Sequence, residues 1–300
     1  MRSVSARDPN LCTIRLRVPL GIIYPEQLDT LKEVALRYGD GRLHLTVRKT
    51  IEIPGIPINL LGAAQAKLIN AGWYSNAFGN NVRNITACPG RYSCPNAQVD
   101  TQGLGLELDS AFLHLEHLPA KLKIAVAGCS NSCTHPLVND IGIIGIARVA
   151  LIQENCRHCL KCIKSCSEGA IQQDSHGDIM IDMEKCIDCG DCISACNHAA
   201  IVCEDRNYRM YIGGKMGRHP RFGNVFGDFA TQSELIEQVE KIIGVFANYA
   251  QKGERLGSLI ERISIEKFEQ LVGEWQPADQ LDCALLDFQF TDLSLNEMSL

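Results

Sequence analysis

The apolar positions of this chain change period several times, and each change predicts an element. Residues 13–20 (TIRLRVPL) alternate and predict a strand. Pro25 opens a helix on which Leu28, Leu31, Ala35 and Tyr38 recur at helical spacing, and Gly39 closes it. Residues 43–47 (LHLTV) alternate again as a strand, and a second helix over 60–71 ends at Gly72. Such a β-α-β-α series makes a small α+β layer. Farther on, 122–127 and 141–149 read as strands, and 209–212 resumes as strand. Residues 232–249 predict a helix that starts on a capping box, Thr231 with Glu234. Its apolar stripe is Leu235, Val239, Ile242, Ile243 and Phe246. A last short helix includes Phe268 and Leu271.

Between these elements the texture differs. Residues 80–96 are rich in Asn, Gly, Pro and Cys, which suits a loop wrapped around a cofactor. Gly103 and Gly105 in QGLGLEL lack the third glycine and the following helix of a dinucleotide fingerprint. Residues 151–205 hold an internal repeat, two cysteine blocks followed by the similar tails EGAI and HAAI, with halves expected to be related by a pseudo-two-fold. After Lys267 the chain has no Lys, Arg or His, so its acidic end reads as a solvated or loosely docked tail.

The cysteines change the picture most. Twelve of the 15 fall into a fixed series: Cys88-x5-Cys94, Cys129-x3-Cys133, Cys156-x2-Cys159-x2-Cys162-x3-Cys166 and Cys186-x2-Cys189-x2-Cys192-x3-Cys196. Soft thiolates suit iron–sulfur cores, and a quartet holds one cubane, so the series predicts three 4Fe–4S clusters. The spacing of the last two blocks is that of a two-cluster ferredoxin, in which the fourth Cys of each block serves the other cluster. Cys156, Cys159, Cys162 and Cys196 are therefore expected around one cluster, and Cys186, Cys189, Cys192 and Cys166 around the second. The proline usual after the fourth Cys is replaced by Ser167 and Asn197. The Cys88, Cys94, Cys129, Cys133 set is less specific, and a structural zinc site competes with a cluster there. Cys12, Cys203 and Cys283 stand outside the series and read as small buried hydrophobes.

Composition narrows the class. The chain has 300 residues, 46% hydrophobic, with a net charge of −6. That supports a real core and argues against general nucleic-acid binding. The start lacks a signal-peptide h-region, and the most apolar stretch, 141–152, carries Arg148 and is too short to span a bilayer. A cytoplasmic, reduced setting is expected, in which clustered cysteines mean metal rather than disulfide.

The text around the first quartet reads NNVRNITACPGRYSCPN, LPAKLKIAVAGCSNSC, NDIG and, past the repeat, YIGGKMGRHPR. It resembles the sirohaem and 4Fe–4S core of the sulfite and nitrite reductase family. LHLTVRKTIEIPGI resembles that family's ferredoxin-like half-domain, and GERLGSLIERISIEKF also fits. The nearest likeness is to the catalytic subunit of anaerobic, dissimilatory-type sulfite reductases, one core unit interrupted by a two-cluster ferredoxin. The resemblance implies a half-domain over 1–75, a discontinuous core over 76–150 and 207–275, a ferredoxin insert over 151–206 and an acidic tail over 276–300. It implies that Cys133 bridges cluster and sirohaem iron, with Cys88, Cys94 and Cys129 on the other corners. It implies an anion site of Arg48, Arg83, Lys121 and Lys123, and sirohaem contacts from Asn131, Gly213, Gly214, Lys215 and Arg218. Ala120, Val47 and Lys49 depart from the family pattern in the flanks of that site. The implied reaction is six-electron reduction of sulfite to sulfide, with nitrite to ammonia as the alternative. An electron-transfer protein without sirohaem is a further alternative. With no nicotinamide or flavin fingerprint in the chain, a donor protein with flavin or iron–sulfur centres is the expected partner. A single core copy points to a homo- or hetero-oligomer, and neither nucleic acid nor membrane is expected as a partner.

Overall fold

The computed structural model describes residues 3–5, 7–74 and 77–276. Cys283 and almost all of the acidic tail lie outside them. The first unit is an antiparallel sheet of β1 (Ser3–Ser5), β2 (Leu11–Leu16), β3 (His44–Leu45) and β4 (Ile51–Pro57), in the order β1-β2-β4-β3. Helices α1 (Pro25–Tyr38) and α2 (Leu61–Asn70) complete it. Ile14, Leu16, Leu31, Val34, Ile51, Ile53, Ile56 and Leu68 form its core.

Two expectations are corrected here. The first strand stops at Leu16, because Pro19 opens a 3-10 turn and Leu20 takes a left-handed φ of 55°. The second strand of this unit is not 43–47. Only His44 and Leu45 pair there, both exposed, and the buried strand is β4. Its IEIPGIP sequence hides it, since Pro54 and Gly55 look like breakers. They form a bulge instead, opposite the register shift between Cys12 and Ile14, with Gly55 at φ +72°.

The second unit is a mixed sheet in the order β11-β10-β7-β6-β5. Its strands are β5 (Thr86–Ala87), β6 (Ile124–Ala127), β7 (Ile141–Leu151), β10 (Ile201–Ile212) and β11 (Asn224–Phe229). β5, β6 and β7 run parallel, and β10 and β11 continue antiparallel. β7 is central, which explains its unbroken apolar run: every residue from 141 to 147 is buried. Helices α3 (Thr101–Phe112), α6 (Gln232–Tyr249), α7 (Leu256–Ile263) and α8 (Ile265–Glu274) cover the sheet and share one core with it. The Thr231–Glu234 capping box is present. QGLGLEL lies inside α3, capped by Asp100, whose carboxylate accepts from the N–H groups of Gln102 and Gly103.

β7 and β10 pair from Ile141 with Ile212 out to Leu151 with Ile201. The cysteine repeat therefore sits at the tip of one long hairpin, and β10 begins at Ile201 rather than near Arg209. Within the tip are α4 (Lys161–Ser165), β8 (Ile171–Gln173), β9 (Ile179–Ile181) and α5 (Asp191–Ala195). The repeat has a backbone counterpart with a 30-residue offset. His158 and Asp188, Leu160 and Gly190, and Gly169 and Ala199 all take positive φ. Ile152 donates to Ala200 O, and Asp182 donates to Ala170 O. One unit joins the next through Arg17, whose Nε reaches Asp109 Oδ1 at 3.0 Å inside the protein.

Candidate redox centre and anion cleft

The cationic residues come from three short segments. A parallel bridge between Val82 and Leu122 sets Arg83 beside the 121–123 segment that leads into β6. Leu122 points into the core, so Lys121 and Lys123, two positions apart, share the opposite face. The third segment is the turn 46–50, closed by Lys49 N–H on Thr46 O at 2.9 Å. It leaves Val47 exposed and sends Arg48 inward. The Arg48 guanidinium donates to Asn139 Oδ1 at 2.8 Å, Asn84 O at 2.6 Å and Ile124 O at 3.1 Å. Its Nε is buried without a partner.

Crowding cations into a partly dry site depresses their pKa values. Burial first, then Arg83, Arg17 and Arg255, bring Arg48 down to about 10 against the pull of Asp140. Burial, then Arg15 and Arg255, bring Arg83 to about 10. Lys123 falls furthest into the working range, to about 8, through burial and then Arg48, Arg255 and Lys121. Lys121 is also lowered, by burial and then by Arg255 and Arg83. At neutral pH Arg48, Arg83 and Lys123 carry charge.

A cleft of about 390 Å³ opens beside them, bounded by Val47, Arg48, Lys49, Lys123, Cys133, Asn139 and Met216 among others. Of the expected anion-site residues, Arg48 and Lys123 line it. Arg83 and Lys121 do not; Arg83 Nε is engaged by Gly79 O at 3.0 Å. Cys133 is exposed and forms part of the same wall. Cys88 follows β5, and its sulfur accepts the Gly128 N–H at 3.1 Å. Cys129 is buried, and burial, then the neighbouring thiols of Cys94, Cys133 and Cys88, push its pKa up. The four cysteines thus converge. Gly145 makes this seat possible: a Cβ there would lie 2.6 Å from Gly128 O and 2.5 Å from Val99.

The residues expected to cradle sirohaem divide. Gly213 and Gly214 do not face the cleft. A Cβ on Gly214 would sit 2.3 Å from Leu137 O, and one on Gly213 would sit 3.0 Å from Ile260. Their small size admits the protein's own backbone. Lys215 lies 3.6 Å from Glu261, and Arg218 is exposed. Asn131 lines a different, polar hollow with Cys129, Ser130, Ile187 and Cys189.

At the hairpin tip the two cysteine quartets separate as spacing predicts. One small cavity is lined by Cys156, Cys159, Cys162 and Cys196, and another by Cys166, Cys186, Cys189 and Cys192. Backbone N–H groups point at sulfur: His158 to Cys156, Ala170 to Cys166, and Ala200 and Ile201 to Cys196. For Cys196 burial opposes ionisation, but the donors from Ile201, His198, Ala200 and Ala199 outweigh it and lower the pKa. Cys12 and Cys203 behave differently, each donating to a carbonyl, Ile56 O and Asp205 O, both at 3.2 Å. Among the described residues no group of three or more His, Cys, Asp or Glu is tight enough for a single metal ion.

Two residues of the site, Asp140 and Arg255, were not expected in it from sequence, and Lys49 was placed only in its flank. Asp140, fully buried, accepts from Lys123 N–H at 2.8 Å and pairs with Arg255. Lys49 Nζ holds Ala87 O at 2.6 Å, next to Cys88. An Asp inside NDIG, directly before an apolar strand, was the available signal for Asp140; Arg255 offered none beyond its charge.

Among the described residues no helix is long and apolar enough to cross a membrane. Residues 78–277 match the nitrite and sulphite reductase 4Fe-4S domain, and residues 5–71 match the nitrite/sulfite reductase ferredoxin-like half domain. The chain is 35% identical over 265 residues to coenzyme F420-dependent sulfite reductase of Methanocaldococcus jannaschii, covering 87% of this chain and 42% of that protein. It therefore spans less than half the length of that relative. It is 30% identical over 285 residues to a subunit of the anaerobic sulfite reductase of Salmonella typhimurium, covering 86% of this chain and 82% of that one. Its fold is similar to that of dissimilatory sulfite reductase I, with a TM-score of 0.72 at 21% identity over 91% of this chain and 71% of that one. With both family regions matched and the cysteine-lined cleft between them, this chain belongs to the nitrite and sulfite reductase family.

Proposed function

We propose that this chain is the catalytic oxidoreductase subunit of a sirohaem-dependent sulfite reductase, carrying three 4Fe–4S clusters. The observation that carries this reading is one cleft with an exposed cysteine of a converging quartet on its wall and Arg48, Lys49 and Lys123 beside it. Cys88, Cys94, Cys129 and Cys133 would hold the core cluster, with Cys133 shared with sirohaem. The basic lining suits a tetrapyrrole rimmed with carboxylates, and the unpartnered Arg48 Nε leaves a donor free for an acceptor from outside. When bound, the coupled cofactors would supply the iron centre and pass on the donor's electrons for six-electron reduction.

The protein's own groups supply charge and protons. Sulfite is an anion whose oxygens leave as water, so each loss needs negative charge neutralised and protons delivered. Arg48 stays cationic and offers fixed donors, which need no reorganisation as charge develops. Lys123, at about 8, is near enough to neutrality to give up a proton and regain it. Arg83 and Lys121 contribute field rather than contact.

The hairpin tip we assign to a bacterial-type two-cluster ferredoxin insert that feeds the core cluster. The tip leaves the core sheet intact, because β7 and β10 simply extend. Electrons would come from a separate donor protein.

Nitrite is the second reading, since part of the chain is also similar to ferredoxin–nitrite reductases, with 32% identity over 140 residues to that of Leptolyngbya laminosa. Iron and acid-labile sulfide analysis of anaerobically purified protein, then sulfite- and nitrite-dependent oxidation of reduced methyl viologen, tests both. Three clusters per chain and a higher kcat/KM for sulfite are expected. Zinc in place of iron, or a preference for nitrite, overturns the reading.

A further inference from the structure

The two halves of the cysteine repeat have diverged in charge, and the divergence follows their placement. The second loop is pinned to the core. Asp188 O accepts from Ala147 N–H at 2.8 Å, Ile187 O from Ser130 Oγ at 3.0 Å, and Cys189 O from Gln98 Nε2 at 3.1 Å. Arg209 adds an ion pair to Asp188 at 3.0 Å. Gly190, at φ +84°, lies close on Ala147 and Gln98, and an added Cβ would crowd both, at 3.3 and 3.1 Å. The cavity of the Cys166, Cys186, Cys189, Cys192 quartet thus adjoins Cys129 and Ser130 through a shared hollow.

The first loop points away. Its hydrogen bonds stay inside the hairpin tip, as in His158 Nδ1 with Gly177 O at 2.9 Å. Where the second loop carries Ile187, Asp188, Asp191 and Ser194, the first carries Arg157, His158, Lys161 and Lys164. All four of these are exposed, as are Cys159 and His198. Arg157, Lys161 and His198 border the cavity of the Cys156, Cys159, Cys162, Cys196 quartet, whereas Glu168 and Asp191 border the other. Arg157, Lys161 and Lys164 make no ion pair among the described residues. Glu154 is the one carboxylate on the loop leading in. A basic patch on a chain of net charge −6 is a local feature, not a reflection of composition.

We propose that the exposed face around Cys159, formed by Arg157, His158, Lys161, Lys164 and His198, is the docking surface for an acidic one-electron carrier protein. This rests on the reading of the tip as a two-cluster ferredoxin. One electron leaves the carrier's flavin or iron–sulfur centre, which is oxidised, and enters the Cys159 quartet's cluster, which is reduced. The pinned quartet then stands between that entry and the core. Complementary charge steers encounter and raises association rates by about ten- to a thousandfold at low salt.

A reduced, strongly acidic flavodoxin is the probe. Two quantities are measured without sulfite: the second-order rate of cluster bleaching by stopped flow, and the Kd of oxidised flavodoxin by titration calorimetry. The variant R157E/K161E/K164E is expected to lose at least about tenfold in both at low salt, with the difference vanishing at high salt. The charge-matched variant K32E/R37E/R42E, on the half-domain, is expected to keep wild-type values. If the triple reversal loses iron, R157Q/K164Q decides: a roughly threefold slower rate supports the surface. Unchanged rate and Kd in the patch variants, or an equal loss in the half-domain variant, overturn it. A protein that bleaches normally yet reduces no sulfite would refute the functional reading and leave this one standing.

Discussion

Asp140 and Arg255, 115 residues apart, form a two-pronged ion pair beneath the cationic cleft, with Nε to Oδ1 at 3.0 Å and Nη2 to Oδ2 at 2.6 Å. Asp140 is fully buried and also takes the Lys123 backbone N–H at 2.8 Å. It is the carboxylate against which Arg48, Arg83, Lys121 and Lys123 are balanced. Replacing it by Ala leaves the half-buried Arg255 guanidinium and the Lys123 N–H without their acceptor, a change that costs about 3 kcal/mol. The expected result for D140A is a Tm lower by about 5 °C, measured by calorimetry. A fall of under about 2 °C contradicts the pairing.

Lys123 makes the pH dependence specific. Its value of about 8 lies below the ordinary 10.5, so its charge is lost as pH rises through about 8. Sulfite affinity is therefore expected to weaken above that pH. The same depression means the folded state disfavours the proton, so stability rises as pH climbs from about 8 toward the ordinary Lys value. K123R is expected to keep affinity flat through this window, and K123M to lose about tenfold below it. KM-against-pH profiles of the three proteins check this; an unaltered break in K123M would place the titrating group elsewhere.

Gly145 gives a test of the cysteine seat apart from catalysis. G145A puts a methyl group within 2.6 Å of Gly128 O, one residue before Cys129. Backbone cannot yield as a side chain can, so the 128–133 loop has to shift. Iron per chain is expected to fall by the share of one cluster in three, while the hairpin-tip clusters persist. Full iron content in G145A contradicts the assignment of Cys129 and Cys133 to a cluster pressed on β7.

Much of this was legible in the sequence where chemistry is local. The spacing of the two cysteine blocks anticipated which thiols share a cavity, including the exchange of Cys166 and Cys196. The capping box and apolar stripe of α6 were equally plain. What failed was context. LHLTV alternates, yet its edge is exposed, while the bulged β4 carries the core contacts through a Pro–Gly pair that local propensity rejects. QGLGLEL, read in the sequence only as falling short of a dinucleotide fingerprint, lies inside α3, which Asp100 caps. Gly213 and Gly214 do admit a close approach, but what approaches Gly214 is the 137–139 backbone, and what approaches Gly213 is Ile260 and Gly257. Arg255 could not be read at all, because its meaning depends on Asp140, brought to it only by the tertiary fold.

Cys133 is the residue on which the functional reading turns, as the thiolate that would tie a core cluster to a sirohaem at the cationic cleft. The most direct measurement is the anaerobic optical and EPR spectrum of wild type and C133A while sulfite is titrated in. Sirohaem bands and a high-spin haem signal that sulfite perturbs are expected in wild type. In C133A the hairpin-tip cluster signals should remain and the sulfite-sensitive coupling should disappear. A wild-type spectrum with no tetrapyrrole bands, or a C133A protein whose sulfite response is unchanged, would contradict that role.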